Sequence, residues 1–181
     1  MKADTISALV HRRTPEQHRF ADDGRTPNNP RLPLLLYRDV LQHRPGAEPA
    51  AVYEALFAAH GWGDSWRNGI FPFTHFHTAA HEVLGIARGT AEVQFGGDRG
   101  PALTVQAGDV VVLPAGTGHR RLSASADLLV VGAYPRGSDS GQSRPGEIDH
   151  RRACERIARV AVPAQDPLYG KDGPLNEAWR A

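Results

Sequence analysis

At 181 residues the chain is long enough for one domain with a core of its own. Its 40% hydrophobic and 23% charged residues describe an ordinary globular composition, and a formal net charge of +1 supplies no bulk field for nucleic acid. A single cysteine excludes an intrachain disulfide and fits a reducing compartment; no apolar run approaches a membrane span and MKADTISALVHRR has no signal-peptide core, so a cytoplasmic protein without membrane or nucleic-acid partners is expected.

Residues 1–33 are polar and proline-rich, ending in ADDGRTPNNPRLP, and predict an extended arm with turns. RLPLLLYRDVL then reads as a buried strand or a short edge strand. From Pro49 the period changes: Val52, Leu56 and Ala59, with Tyr53, Phe57 and His60, recur at helical spacing. Pro49 suits a first helical turn and Gly61 the position just past the last. From Ile70 to Tyr134 short apolar runs alternate with turn signals, predicting strands at 70–77, 82–88, 90–95, 102–105, 109–113, 119–122 and 127–134. After the polar loop RGSDSGQSRPG a helical stretch is expected over about 147–160. The tail VPAQDPLYGKDGPLNEAW is turn-rich, yet Leu168, Tyr169, Leu175 and Trp179 predict that it packs back on the strands. The expected organisation is one domain: arm and strand (1–48), helix (49–61), β core (62–135), and C-terminal helix and wrap (136–181).

Two segments of the β region carry chemistry. The first is Gly69, five residues, His75-Phe76-His77, four residues, Glu82, six residues, Gly89. The second is Gly108, five residues, Pro114-Ala115-Gly116, two residues, His119. Three imidazoles and a carboxylate form a ligand set for a mid-transition-metal ion. His75 and His77 are two apart on a predicted strand, so both project from one face. Glu82 opens the return strand and His119 follows a Pro-Ala-Gly-Thr-Gly turn on a third. Nitrogen and oxygen donors suit Fe, Mn, Ni, Zn, Co or Cu and disfavour Ca. Four protein ligands leave about two open positions on an octahedral ion, where water or a substrate would sit.

The two segments resemble the two signature motifs of the cupin family. Every fixed position of the first motif is present; the second departs only at its last, where Ser123 stands in place of Asn. The resemblance implies a mainly β, cupin-type double-stranded β-helix (jelly-roll) barrel with an N-terminal arm and helix and a C-terminal helical wrap. It also implies His75, His77, Glu82 and His119 as metal ligands. From Gly61 to about Tyr169, the strings GWGDSWRNGIF, AHEVLG, PAGTGH, VVGAYP and QDPLYG resemble a group of single-domain bacterial cupins with no assigned reaction. Cupins of this kind include dioxygenases, isomerases and decarboxylases, so metal-dependent chemistry on a small polar organic molecule is expected. The alternative is a non-catalytic ligand-binding or structural barrel. Cupins commonly pair through N-terminal strands, and the apolar LPLLLY segment predicts a homodimer.

Other residues need a place. Strand alternation points His81 away from Glu82, making it a supporting imidazole behind the ligands; the sharper alternative is that it replaces Glu82 in a four-histidine site. By the same parity Phe71 and Phe73 share the face of His75, and Leu84 and Ile86 that of Glu82, as pocket candidates. Trp62 and Trp66 read as packing anchors, and Arg67 as a solvated cation near the entrance. Cys154 lies among Arg and Glu on the expected helix, with no histidine placed beside it by spacing, so a nucleophilic role is not expected.

Overall fold

The computed structural model describes residues 9–41 and 46–180. In chain order the strands are β1 (Glu16–His18), β2 (Leu34–Tyr37), β3 (Trp62–Asn68), β4 (Phe76–His77), β5 (Glu82–Arg88), β6 (Thr90–Phe95), β7 (Ala102–Gln106), β8 (Val110–Leu113), β9 (His119–Ala124), β10 (Leu129–Pro135) and β11 (Gln142–Ser143). The helices are α1 (Pro49–Ala59), α2 (His150–Ile157) and α3 (Pro174–Ala178). No described helix is long and apolar enough to cross a membrane.

All strand pairs are antiparallel. Six strands form one sheet in the order β1-β2-β8-β5-β10-β3, and three form a second, β7-β6-β9. A short β11-β4 ribbon continues toward β9 through a bridge between His75 and His119. One apolar core lies between the two large sheets, with Leu34, Leu36, Leu84, Ile86 and Val111 on one side and Val93, Phe95 and Val105 on the other. The outer face of the six-stranded sheet carries a second core. There Leu35, Tyr37, Val83 and Val112 meet Tyr53 and Phe57 of α1 and Leu168, Leu175 and Trp179 of the tail. Burial on both faces explains why β2 (LLLY) and β8 (VVVL) are uninterrupted apolar runs. The mainly β architecture, with both glycine-framed motifs on its strands, is of cupin type.

α1 begins where Glu48 accepts hydrogen bonds from the Ala50 and Ala51 amides, with Pro49 in the first turn, and ends at Gly61, whose φ is 83°. The C-terminal wrap is organised by a buried carboxylate. Asp166 accepts from the Leu168 and Tyr169 amides at 2.8 and 3.1 Å, from the Leu175 amide at 3.0 Å and from the Tyr37 hydroxyl at 2.7 Å. Trp179 donates from Nε1 to the Pro33 carbonyl at 2.8 Å. The tail also forms α3, a helix absent from the sequence expectation.

Two strand expectations are corrected. The span 70–77 pairs only at its end, because Pro72 offers no amide to a ladder; Ile70 to Thr74 is irregular chain. A strand does form at Trp62–Asn68, where none was expected. Its register against β10 shifts between Gly132 and Tyr134, and Asp64 there has a φ of 50°. An extra residue in one strand reverses the facing of the residues beyond it. Trp62 therefore enters the α1 core while Trp66, four residues on, faces the core between the sheets. β2 is not an edge either, since β1 covers one side and β8 the other.

Candidate metal centre

The two motifs meet at one end of the space between the sheets. His75 and His119 sit opposite each other and exchange backbone hydrogen bonds of 3.2 and 3.0 Å, which brings their ring centroids to 4.1 Å. His77 is held by β11 and by the Gly116 amide, which donates to the His77 carbonyl at 2.8 Å. Gly116 has a φ of 91° and lies so close to the Asn28 carbonyl that a Cβ would stand 2.5 Å from its oxygen, so the Pro-Ala-Gly turn requires glycine there. Glu82 starts β5 opposite Leu113 of β8. Ser123, the departure from the family pattern, is exposed on β9 and paired with Glu92, away from these residues.

The three imidazoles share one arrangement. Each Nδ1 faces a backbone carbonyl: His75 that of Phe73 at 3.2 Å, His77 that of Gly141 at 3.3 Å and His119 that of Thr117 at 3.2 Å. A carbonyl only accepts, so each Nδ1 carries the proton and each Nε2 keeps a lone pair. Glu82 Oε2 lies 3.5 Å from His77 Nε2 and 3.4 Å from His119 Nε2. Those approaches are too long or misaligned to serve as hydrogen bonds, and both His77 Nε2 and Glu82 Oε2 are buried without a partner. Leaving such atoms unpaired is costly, and a cation among them removes the cost.

The electrostatics agree. Burial alone would raise the Glu82 carboxyl, but His77 and the other two imidazoles outweigh it and hold it down at about 2. Burial depresses His119 to about 3, with His75 adding to the effect, and burial also depresses His75. His77 is pulled down by burial but lifted further by Glu82, so it ends above the usual histidine value. The set therefore offers one carboxylate and neutral imidazoles, with His77 as the position where a proton competes with a metal ion.

These residues form the floor of a cavity of about 250 Å³, whose walls are Trp66, Arg67, Asn68, Gly69, Ile70, Phe71, Leu84, Tyr134 and Gln142. Of the predicted pocket residues, Phe71 and Leu84 line it. Phe73 is not among the lining residues; it stacks on Phe71 at 4.8 Å and carries the Arg144 guanidinium 3.6 Å from its ring centre. Ile86 is buried in the core between the sheets, one step further along β5. Phe71 is 41% exposed, at the rim. Trp66 is a wall of the cavity as well as a packing residue. It lies over Gly132, where a Cβ would stand 2.1 Å from the indole, and donates from Nε1 to the Tyr134 hydroxyl at 3.0 Å. Arg67 is not a free cation: its Nε and Nη2 donate to the two oxygens of Glu54 at 2.7 and 2.8 Å and its Nη1 donates to Glu48 at 3.1 Å. Asn68, Tyr134 and Gln142 escaped sequence reasoning because β3 was not foreseen and the other two lie outside the motifs.

His81 points elsewhere. Its Nδ1 accepts from the Ala115 amide at 2.9 Å, its Nε2 lies 3.2 Å from the Ala161 carbonyl, and its ring packs on Trp179 at 4.7 Å. Both ring nitrogens are engaged by backbone, and burial lowers its pKa to about 4, so it is a neutral core imidazole. A separate group of ligand-type atoms, those of Asp22, His150 and Cys154, closes to within 4.8 Å of one another. Cys154 thus has a histidine neighbour after all, one helical turn earlier.

No protein-family profile matches the chain. It is 41% identical over 160 residues to the uncharacterised protein YjlB of Bacillus subtilis (strain 168), covering 88% of this chain and 93% of that one. The chain belongs to the family of YjlB. Among solved structures it is similar to an acireductone dioxygenase from Bacillus anthracis with a cadmium ion in its active centre, at 17% identity and a TM-score of 0.38, over 49% of this chain and 62% of that one. It is also similar to an oxalate decarboxylase variant of Bacillus subtilis, at 17% identity and a TM-score of 0.38, over 65% of this chain and 29% of that one. A DUF861 family protein from Thermotoga maritima aligns at 20% identity and a TM-score of 0.30, over 49% of this chain and 92% of that one. Likeness this distant carries no reaction across.

Proposed function

We propose that His75, His77, Glu82 and His119 hold one divalent transition ion, and that the cavity above it takes a small polar organic molecule for metal-dependent chemistry of the oxygenase, isomerase or decarboxylase type. The observation that carries this reading is the pair of buried, unpartnered atoms, His77 Nε2 and Glu82 Oε2, beside two further imidazoles whose Nδ1 protons are tied to carbonyls. That is the donor set and the tautomer state an ion such as Fe, Mn, Ni, Zn, Co or Cu requires. A bound ion would act as a Lewis acid toward an oxygen donor of the ligand. The chain's own residues do the rest. Trp66, Phe71, Ile70 and Leu84 exclude water and shape an apolar wall, while Asn68 and Gln142 supply amide groups for orientation. Burial, and then Glu82, raise the Tyr134 phenol, so it stays protonated across the ordinary pH range and presents a hydroxyl to the cavity.

The test is a spectroscopic titration of the metal-loaded chain with small chelating acids and diols, using an open-shell ion. A change in the ion's spectrum on binding supports an open coordination position that meets the cavity. A spectrum silent to every such ligand favours the non-catalytic or structural barrel. The same reading includes a homodimer in a reducing, cytoplasmic setting: β1 is the outer strand of its sheet among the described residues, and its free edge is where a second copy would pair.

A further inference from the structure

The N-terminal arm touches α2 through three side chains that the cavity does not use. His150 and Cys154 are four residues apart on α2, so they share one face, and Asp22 reaches them from the arm, 128 and 132 residues earlier in the chain. We propose that Asp22, His150 and Cys154 form a second metal site, taking a borderline-soft divalent ion such as Zn2+ with water as the fourth ligand and fastening the arm to α2.

The geometry separates a metal site from a catalytic relay. In a relay the imidazole uses one nitrogen toward the carboxylate and the other toward the thiol. Here both neighbours meet the same atom: His150 Nε2 is 2.8 Å from Asp22 Oδ2 and 3.7 Å from Cys154 Sγ. Cys154 Sγ is also 3.7 Å from Asp22 Oδ2, so three donor atoms of three side chains converge on one point. Ordinary zinc bond lengths at tetrahedral angles place nitrogen and sulfur about 3.5 Å apart and nitrogen and oxygen about 3.3 Å apart. The two sulfur distances already match, and the imidazole–carboxylate contact has only to open by about half an ångström. Asp22 is held for the purpose, because its other oxygen accepts from the Gly24 amide at 2.7 Å. A thiolate and a carboxylate also neutralise a divalent ion.

The thiol is poorly suited to act as a nucleophile. Burial pushes Cys154 up, and the Asp22 carboxylate pushes it further. A bound cation reverses that balance. Binding transfers the thiol proton to water, forms a metal–sulfur bond and changes no oxidation state.

Cys154 is the chain's one cysteine, so a thiolate-to-metal signal reports this site alone. The experiment titrates Co2+ into the metal-free, reduced full-length chain and follows near-ultraviolet charge-transfer absorption. The expected band saturates at one Co2+ per chain in His75→Ala/His119→Ala, which lacks the cavity ligands, is present at the same intensity in the unaltered chain at saturating Co2+, disappears in Cys154→Ser and needs at least tenfold more Co2+ in Asp22→Ala and in His150→Ala. Saturating Zn2+ should likewise slow alkylation of Cys154 in the unaltered chain at least tenfold. Saturation of the unaltered chain with Co2+ without the band overturns the proposal. So does a band of undiminished affinity in both Asp22→Ala and His150→Ala, which would reduce it to a thiol collecting metal by itself. Unchanged alkylation under Zn2+ overturns it without any variant.

Discussion

Neighbouring residues at the start of β5 take opposite roles. Glu82 turns its carboxylate toward His77 and His119, whereas His81 spends both ring nitrogens on the Ala115 amide and the Ala161 carbonyl. Glu82→Ala should therefore weaken metal binding at the cavity or change its preference. His81→Phe should leave metal content near normal and lower stability by roughly 1–3 kcal/mol, because the buried Ala115 amide loses its acceptor. Elemental analysis and urea unfolding on the two variants check this; an essential His81 beside a dispensable Glu82 would mean a four-histidine site. His81 also predicts a pH effect. Its pKa is about 4 in the folded chain against 6.5 ordinarily, so between those values the unfolded chain binds the extra proton. Its contribution is complete above pH 6.5 and is lost as pH falls toward 4, on the order of 3 kcal/mol. Urea unfolding at pH 7 and at pH 4.5 should show that loss, and a His81 variant should show a shallower one.

At the scale of elements, the C-terminal wrap is part of the core. Leu168, Leu175 and Trp179 are buried against the outer face of the six-stranded sheet, and Asp166 ties their backbone to Tyr37 of β2. Trp179→Ala should cost about 3–5 kcal/mol, lowering the melting temperature by roughly 10 °C. Deleting 163–181 should lower it further; an unchanged melting temperature would make the tail a free end. The burial of this tail was legible, because large apolar residues among turn signals have few other uses. The strands 82–88 and 90–95 were legible too, since glycine-marked turns bracket them. β3 was not: a register shift inside it breaks the period-two pattern, so Trp62 and Trp66 fall on opposite faces and no alternation survives in the letters. The expected strand 70–77 failed for a different reason, since apolar parity took no account of the missing amide of Pro72.

For the whole molecule, the resemblance to the cupin motifs pointed to four residues, and they meet at the cavity floor because a β frame translates fixed sequence intervals into fixed positions. Residue parity reached only part of the walls, Phe71 and Leu84. Trp66, Asn68, Tyr134 and Gln142 come from strands whose relation to the motifs only the folded register defines. Neither motif nor parity could name Asp22 as a neighbour of His150, a contact that spans 128 residues. Assembly is tested at this scale. The proposed homodimer would pair at the outer strand β1, and light scattering at micromolar concentration should give twice the 19.6 kDa chain mass. A monomer would contradict it.

The central claim is that the motif residues hold a metal ion, and its most direct measurement is the metal content of Cys154→Ser protein purified without chelators. That substitution removes the thiol of the second proposed site, so what remains reports on nitrogen and oxygen ligands. The account predicts about one divalent transition ion per chain, released as pH falls through the range where a proton takes His77, and content close to zero once His75→Ala and His119→Ala are added. Undiminished metal in that combined variant, with its fold intact, would contradict it.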